Sequence, residues 1–452
     1  MELFGTAGIR GPVTNVTPEL ALAVGQAVAA RAESGTDTVV VARDGRETGE
    51  TLASAVAAGV TSGGLNVLRA GQLPTPALAF ASRGRHGIML TASHNPPTDN
   101  GIKLFADGTE YETRAEQGIE RVVEEGPSAT AWDGWGTTED ISVLPSYCEA
   151  VTEYAAEFGS ELGGMEVAVD CGTGMASLAT PEVLENLGAD TRALNANVDG
   201  HFTARESKPT AESLTTLRRF VTEGATLGIG HDGDADRIAI VDSYGEVVHE
   251  DTVLAILAER YVRTSTAGDP VVVTTPNASG RIDERVQAAG GRVERTSLGG
   301  LHEGIAAVRE AGTDGTEVAF AAEPWKHVHP GFGEWIDGIT SAAVFAGLVA
   351  SEGLDTLREP VSERPYRKES VPCPDDRKAA TMERLRTTLP ETFPEATVDT
   401  EHGIRLDFSG GAWTLVRQSG TEPYVRIYAE SEDVDRLVET VRDSVERAVE
   451  PS

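Results

Sequence analysis

The feature that most constrains the fold is a unit that occurs three times. Residues 38–71, "TVVVARDGRETGETLASAVAAGVTSGGLNVLRAG", read as a β-branched strand, a Gly/Asp turn, an amphipathic helix, then glycine and a second strand. Residues 165–196, beginning "MEVAVDCGTG", and 270–300, beginning "PVVVTTPNASG", repeat the pattern. Such βαβ units imply parallel strands joined by right-handed crossovers. Their spacing is too long for a solenoid, so they mark similar domains. After "SERPYRKES" (362–370) the pattern changes. A helix is predicted over 376–388, then the strands "GIRLDF", "AWTLVRQ" and "YVRIYAES", then a closing helix near 432–448. Close-spaced strands between two helices indicate a small α+β domain with an antiparallel sheet. A chain of 452 residues also exceeds a single core. The sequence therefore predicts four domains, at 1–148, 149–248, 249–365 and 366–452. The first three are mixed α/β domains built on βαβ units, and the fourth is α+β.

Charge narrows the function. There are 38 basic and 72 acidic residues, a formal net charge of −34. Nucleic acid and anionic membranes are poor partners for such a surface. Only five of the basic residues are lysine, namely Lys103, Lys208, Lys326, Lys368 and Lys378. An acidic, lysine-poor surface fits a protein kept soluble in concentrated salt, and a halophilic source is expected. No apolar run reaches membrane-spanning length, and no signal peptide is recognisable. Three scattered cysteines, Cys148, Cys171 and Cys373, argue against disulfides and zinc and for the cytoplasm.

Several short stretches carry chemistry. In "TASHNPP" (91–97) two prolines place Ser93 on a turn after an apolar strand. It is either an ordinary turn serine or a nucleophile held at a strand end. In "GHDGDADR" (230–237), Asp232, Asp234 and Asp236 alternate with small residues. If the segment is extended, they point the same way and can converge on a hard cation. An EF-hand is rejected, because Arg237 and Ser243 stand where its Gly and Glu belong. "RQSGTEP" (417–423) offers donors from Arg417, Ser419, Gly420 and Thr421, as a phosphate cradle or merely a hairpin turn. Arg10 in "FGTAGIRG" and Lys103 in "NGIK" are candidate cations. The mixed aromatic and polar stretch "AAEPWKHVHPGFGEWIDGI" (321–339) is a poor core element and a plausible ligand loop.

Ser93 lacks the G-x-S-x-G frame of an acyl-transfer nucleophile, and the extended chain should point the neighbouring His94 elsewhere. No nucleotide phosphate loop or kinase motif set is present. A serine, a cation site and a separate phosphate cradle together suit a serine that itself carries a phosphoryl group.

In this set of motifs and their order, the chain resembles the α-D-phosphohexomutase superfamily, which includes phosphomannomutase, phosphoglucomutase and phosphoglucosamine mutase. The resemblance covers nearly the whole chain. It implies that Ser93 is the phosphoserine, and that Asp232, Asp234 and Asp236 bind Mg²⁺ together with a phosphate oxygen on Ser93. Arg10, Lys103, His94 and Arg237 would complete the catalytic set, with the three cations around the transferring group. Arg417, Ser419, Gly420 and Thr421 would hold the substrate phosphate. Glu323, Trp325, Lys326 and His327 would form the sugar loop. The implied reaction interconverts hexose or hexosamine 1- and 6-phosphates through a hexose 1,6-bisphosphate, which also serves as activator, with glucosamine phosphate favoured. The partners implied are small sugar phosphates, with the protein a monomer or homodimer. Alternatives are a sugar-phosphate phosphatase and a non-catalytic sensor.

Two departures from the family pattern bear on the sugar. The loop usually reads G-E-x-S-G-H, whereas here it is Ala322-Glu323-Pro324-Trp325-Lys326-His327. The usual Thr-Lys-Val-Gly followed by His or Asp is Thr296-Ser297-Leu298-Gly299-Gly300.

Overall fold

Each of the three repeats folds as a parallel strand pair around a crossover. Thr38–Arg43 pairs with Asn66–Gln72, Glu166–Asp170 with Asp190–Leu194, and Asp269–Thr274 with Arg292–Arg295. The first and third crossovers are the helices Gly49–Ser62 and Gly280–Ala288. The second is shorter than its sequence implies, a 3₁₀ turn at Met175–Leu178 followed by the helix Thr180–Asn186. Pro181 lies at the start of that helix, where its fixed φ is tolerated. The computed structural model describes residues 3–5, 8–32, 36–419 and 422–450. It divides into two units, Met1–Glu250 with Trp325–Leu357, and Asp251–Pro324 with Arg358–Ser452.

In the first unit, one mixed sheet has the strand order Ile9–Pro12, Asp99–Ala106, His86–Leu90, Thr38–Arg43, Asn66–Gln72, Thr138–Asp140. His86–Leu90 and Asp99–Ala106 are antiparallel neighbours, so the chain between them forms a connection at the sheet's end. Ser93 lies on it. A second sheet has the order Ile238–Val241, Leu227–His231, Glu166–Asp170, Asp190–Leu194. Its first two strands are antiparallel, and the aspartates lie in the connection between them.

The stretch Trp325–Leu357 groups with residues 1–250. The helix Gly338–Glu352 is apolar on nearly all sides and buried along most of its length, as such a helix must be. Asp337 caps it, accepting from the Ile339 and Thr340 amides at 3.0 and 2.8 Å. The same carboxylate accepts from Tyr147 Oη at 2.9 Å and Trp335 Nε1 at 3.0 Å. Trp335 packs among Phe80 and Phe332. Much of the stretch read as a poor core element is therefore core, because each polar atom named here has an internal partner.

In the second unit, Asp269–Thr274 lies between Arg292–Arg295 and Thr316–Glu323, all parallel. The C-terminal sheet is antiparallel throughout, in the order Tyr366–Pro372, Tyr424–Glu430, Trp413–Gln418, Ile404–Asp407, Thr397–Asp399. Helices Asp375–Thr392 and Val434–Val449 cover one face through Leu385, Leu389, Val441 and Val445. The other face meets residues 276–281, where Arg405 Nη1 donates to the Ala278 carbonyl at 3.0 Å and Arg281 pairs with buried Glu430 at 3.2 Å. No helix among the described residues is long and apolar enough to cross a membrane.

Candidate active site

Ser93 is fully buried, with φ +52°. A non-glycine residue enters this region only under local constraint. The constraint is visible. The Ser93 amide donates to Thr91 Oγ1 at 2.9 Å, and Thr91 Oγ1 donates to Asp44 Oδ2 at 2.7 Å. Arg46 then clamps the loop. Its Nη2 donates to the carbonyls of Ser93 (2.9 Å) and Asn95 (2.8 Å), and its Nη1 to those of Pro96 (2.6 Å) and Asp99 (2.8 Å). Its Nε donates to Asp44 Oδ2 at 3.0 Å. All five donors of a buried guanidinium are used, four of them on the serine connection.

The aspartate segment reaches Ser93 from the second sheet. Ser93 Oγ donates to Asp232 Oδ2 at 2.7 Å. Ser207 Oγ bridges the two loops, donating to the Ser93 carbonyl at 3.2 Å and accepting from the Gly233 amide at 3.0 Å. A Cβ on Gly233 would stand 2.8 Å from the Ser93 carbonyl oxygen, so this approach requires glycine. Thr75 ties in a third element, with its amide on the Asp234 carbonyl (3.0 Å) and its hydroxyl on Asp234 Oδ2 (2.7 Å).

Asp232, Asp234 and Asp236 are buried and offer one oxygen each within 4.8 Å of one another. They converge as expected, but by a different route. The segment is a turn, with Ala235 at φ +61°, and strand alternation plays no part. Lys103 Nζ spans Asp236 Oδ2 (2.9 Å) and Asp234 Oδ2 (3.4 Å). Arg237 Nε lies 3.8 Å from Asp232 and 3.7 Å from Asp236. Oδ1 of both Asp234 and Asp236 is buried without a hydrogen-bond partner among the described residues. Buried carboxylate oxygens left bare by two lysine-bonded aspartates fit a hard divalent cation.

Burial, then Asp236 and Asp234, raises the Asp232 carboxyl well above the usual range. For Asp236 burial also pushes upward, but Lys103, Lys326 and Arg237 outweigh it and hold the carboxyl well below. Burial would lower Lys103, yet Asp234, Asp236 and Glu110 raise it overall, so it stays an ammonium. His94 is lowered to about 3 by burial, Arg237 and Arg10, and stays neutral. Its Nδ1 lies 3.4 Å from Ser93 Oγ. That corrects the expectation that His94 points away, since the left-handed Ser93 backbone removes the alternation it assumed. Arg10, on the neighbouring strand opposite Gly101, has Nε and Nη2 buried without a hydrogen-bond partner among the described residues.

The sugar-loop residues divide between the units. Trp325, Lys326 and His327 belong with Ser93. Trp325 has φ +72°, and its carbonyl accepts from the Ile238 amide at 3.1 Å. Lys326 pairs with Arg237 in an antiparallel bridge. His327 is buried with Nδ1 3.1 Å from Ser341 Oγ, and burial lowers it to about 3. Glu323 belongs to the second unit, where its carboxylate accepts from the Gly299 amide.

The second unit also holds the phosphate-cradle residues. Gly420 and Thr421 lie outside the described residues. Ser419 is buried, and its Oγ accepts from the Glu422 amide at 3.2 Å. Lys378 Nζ closes the turn from below, donating to the carbonyls of Ser419 (2.7 Å) and Glu422 (2.6 Å). Arg417 and Arg426 face each other across two strands beside Tyr428. Burial would raise that phenol, but Arg417, Lys368 and Arg426 outweigh it and lower it. This is a positive patch suited to an anion.

Sequence reasoning did not single out Arg46, Asp44, Thr91, Thr75 or Ser207, whose roles arise only in the fold. Lys378, Lys368 and Lys208 could have been found, since lysine is rare in this chain.

Family models for phosphoglucomutase/phosphomannomutase match three segments. The α/β/α domain I model covers residues 1–130, domain II covers 145–245 and the C-terminal domain covers 370–448. A phosphopentomutase from Thermococcus kodakarensis is 41% identical, covering 99% of both chains. A probable phosphoglucosamine mutase from Methanopyrus kandleri is 38% identical over the same shares. Among solved structures, a phosphoglucomutase/phosphomannomutase family protein from Burkholderia thailandensis shares the fold, with a TM-score of 0.85 at 24% identity, covering 98% of this chain and 97% of that one. On these matches, and on a serine loop and aspartate turn brought together in one unit, the chain belongs to the phosphoglucomutase/phosphomannomutase family, a family of mutases.

Proposed function

We propose that the protein is a phosphosugar mutase that passes a phosphoryl group through Ser93. The observation that carries this reading is the buried Ser93 Oγ, 2.7 Å from one of three converging aspartates and held there by Arg46 and Ser207. In the first half-reaction a sugar hydroxyl attacks phosphorus on phospho-Ser93, the Oγ–P bond breaks, and the hydroxyl proton ends on the departing Ser93 Oγ, giving a sugar bisphosphate. In the second, Ser93 Oγ attacks the other phosphorus, that sugar O–P bond breaks, and the serine proton, already directed at Asp232 Oδ2, is returned to the sugar oxygen. Lys103, Arg237 and Arg10 supply fixed positive charge for the transferring oxygens. Asp232, Asp234 and Asp236 would hold Mg²⁺, which when bound neutralises phosphoryl charge. Arg417, Ser419, Gly420 and Thr421 would grip the phosphate that is not transferred. The sugar phosphates are small molecules, and the reaction is placed in the cytoplasm. The relatives' names offer two sugars, glucosamine phosphate and a pentose phosphate.

The test is conversion of a sugar 1-phosphate primed by a hexose 1,6-bisphosphate. A mutase gives isomer without free phosphate, whereas stoichiometric release of phosphate would make the protein a phosphatase. Chelation is expected to stop turnover and added Mg²⁺ to restore it. Full activity in excess chelator would assign the aspartates elsewhere.

The same reading places the protein in concentrated salt, supported by the net charge of −34. The melting temperature should rise as KCl goes from about 0.1 M, where the Debye length is about 10 Å, to about 1 M, where it is about 3 Å. A flat or falling curve counts against it.

A further inference from the structure

Every lysine in this chain lies in one of two places. Lys103, Lys208 and Lys326 belong to the unit that holds Ser93, and Lys368 and Lys378 lie beside the phosphate cradle. Away from these two places every basic side chain is arginine or histidine. An ammonium is a compact, strongly hydrated point charge, so its placement says where such a charge is wanted.

Lys208 is unassigned by anything above. Its Nζ lies 4.7 Å from the centroid of the Trp325 ring, a cation–π contact. Both ends of this pair are fixed next to the reacting serine. Ser207, one residue before Lys208, is bonded to the Ser93 carbonyl and the Gly233 amide. Trp325 is held in a backbone conformation that bulky residues rarely adopt, by its carbonyl bond to Ile238 just beyond the aspartate turn. Lys326 follows directly, buried and bridged to Arg237. The indole face is thus covered by an ammonium, and two chain segments bring Lys208 and Lys326 to the surroundings of Ser93. Lys103 is bonded to two aspartates, Arg237 lies beside Asp232 and Asp236, and Lys326 adds its charge on the same side, where it also acts on Asp236.

We infer that Lys208, seated on Trp325, together with Lys326 makes the site select sugar phosphates with neutral, hydroxyl-bearing rings against those carrying an ammonium group. The inference rests on the mutase reading and names its substrate class. An ammonium can donate to a hydroxyl or phosphate oxygen but cannot accept from another ammonium. A further positive charge about 7–12 Å from one of them, at an effective dielectric of about 20, weakens binding by roughly 10- to 50-fold. The preference falls on a hexose or pentose phosphate and away from glucosamine phosphate, the sugar favoured from motif wording alone.

The test is calorimetric binding to the full-length Ser93→Ala protein, which holds ligand without turnover. Glucose 6-phosphate, ribose 5-phosphate and glucosamine 6-phosphate are compared near pH 7. Glucosamine 6-phosphate is expected to bind roughly 10-fold or more weakly than glucose 6-phosphate. Lys208→Met and Lys326→Met, singly and together, should narrow that ratio, and Lys208→Arg should keep it. Raising the pH until the sugar amine is neutral should narrow it with no substitution in either lysine. Equal affinity for the amino and hydroxyl sugars, or a ratio that neither the variants nor pH moves, overturns the inference. If the ratio behaves as stated but wild-type protein isomerises none of these sugars when primed, the inference stands and the mutase reading falls. If none of the three ligands binds, both fall.

Discussion

Ser93→Ala is expected to reduce mutase turnover by more than about 10⁴-fold, the scale seen when a covalent nucleophile is removed. Wild-type protein should carry one phosphoryl group, mapped by peptide mass to Ser93, and the variant none. The fold should survive, because the features that shape this loop are backbone bonds from Thr91, Arg46 and Ser207, all of which alanine keeps. A fully active variant, or a phosphoryl group found consistently on another residue, would remove Ser93 from the mechanism.

Arg46→Ala should be the most damaging change that touches no reacting atom. It would leave Asp44 buried without its ion partner and the carbonyls of Ser93, Asn95, Pro96 and Asp99 without their shared donor. Breaking a buried ion pair costs about 3–5 kcal/mol. Displacing the nucleophile by about 1 Å should lower kcat a further 10²-fold or so. Arg46→Lys keeps the charge, but one nitrogen cannot reproduce a planar fork spread over four carbonyls, so little should be recovered. Denaturant midpoints give the stability, and the split between kcat and KM gives the positioning, which should fall mainly on kcat. A lysine variant that matches wild type in both would show that the fork is dispensable.

The elements legible in the sequence were those set by local pattern. Continuous β-branched runs and a helical period mark 38–71 and 270–300, and the structure follows them closely. The antiparallel C-terminal sheet was legible for the same reason, from short strands at close spacing. Ser93 and the three aspartates were legible as a chemical set, because few folds need that set without needing it together. The route was not legible. A turn through Ala235, not an extended strand, gathers the carboxylates, and no spacing rule separates the two. Arg46 precedes the loop it holds by 47 residues, so its purpose exists only after the sheet has formed. The packing of Trp325–Leu357 with residues 1–250 depends on Asp337 meeting Tyr147 and Trp335, which is tertiary information.

The placement of the lysines has a practical consequence for labelling chemistry. Amine-reactive esters on most proteins decorate the surface at random. Here Lys103, Lys326 and Lys378 are buried, Lys208 is half-buried and Lys368 is exposed. The reachable side-chain amines are therefore Lys208, over the Trp325 ring near the Ser93 loop, and Lys368, over the Tyr428 ring beside Arg417. Coupling at about pH 9, where lysine reacts, would attach a dye or a support at Lys208 and Lys368, so a preparation labelled through side-chain amines should lose activity even at low stoichiometry. Carboxylate or engineered-thiol coupling would leave both regions open.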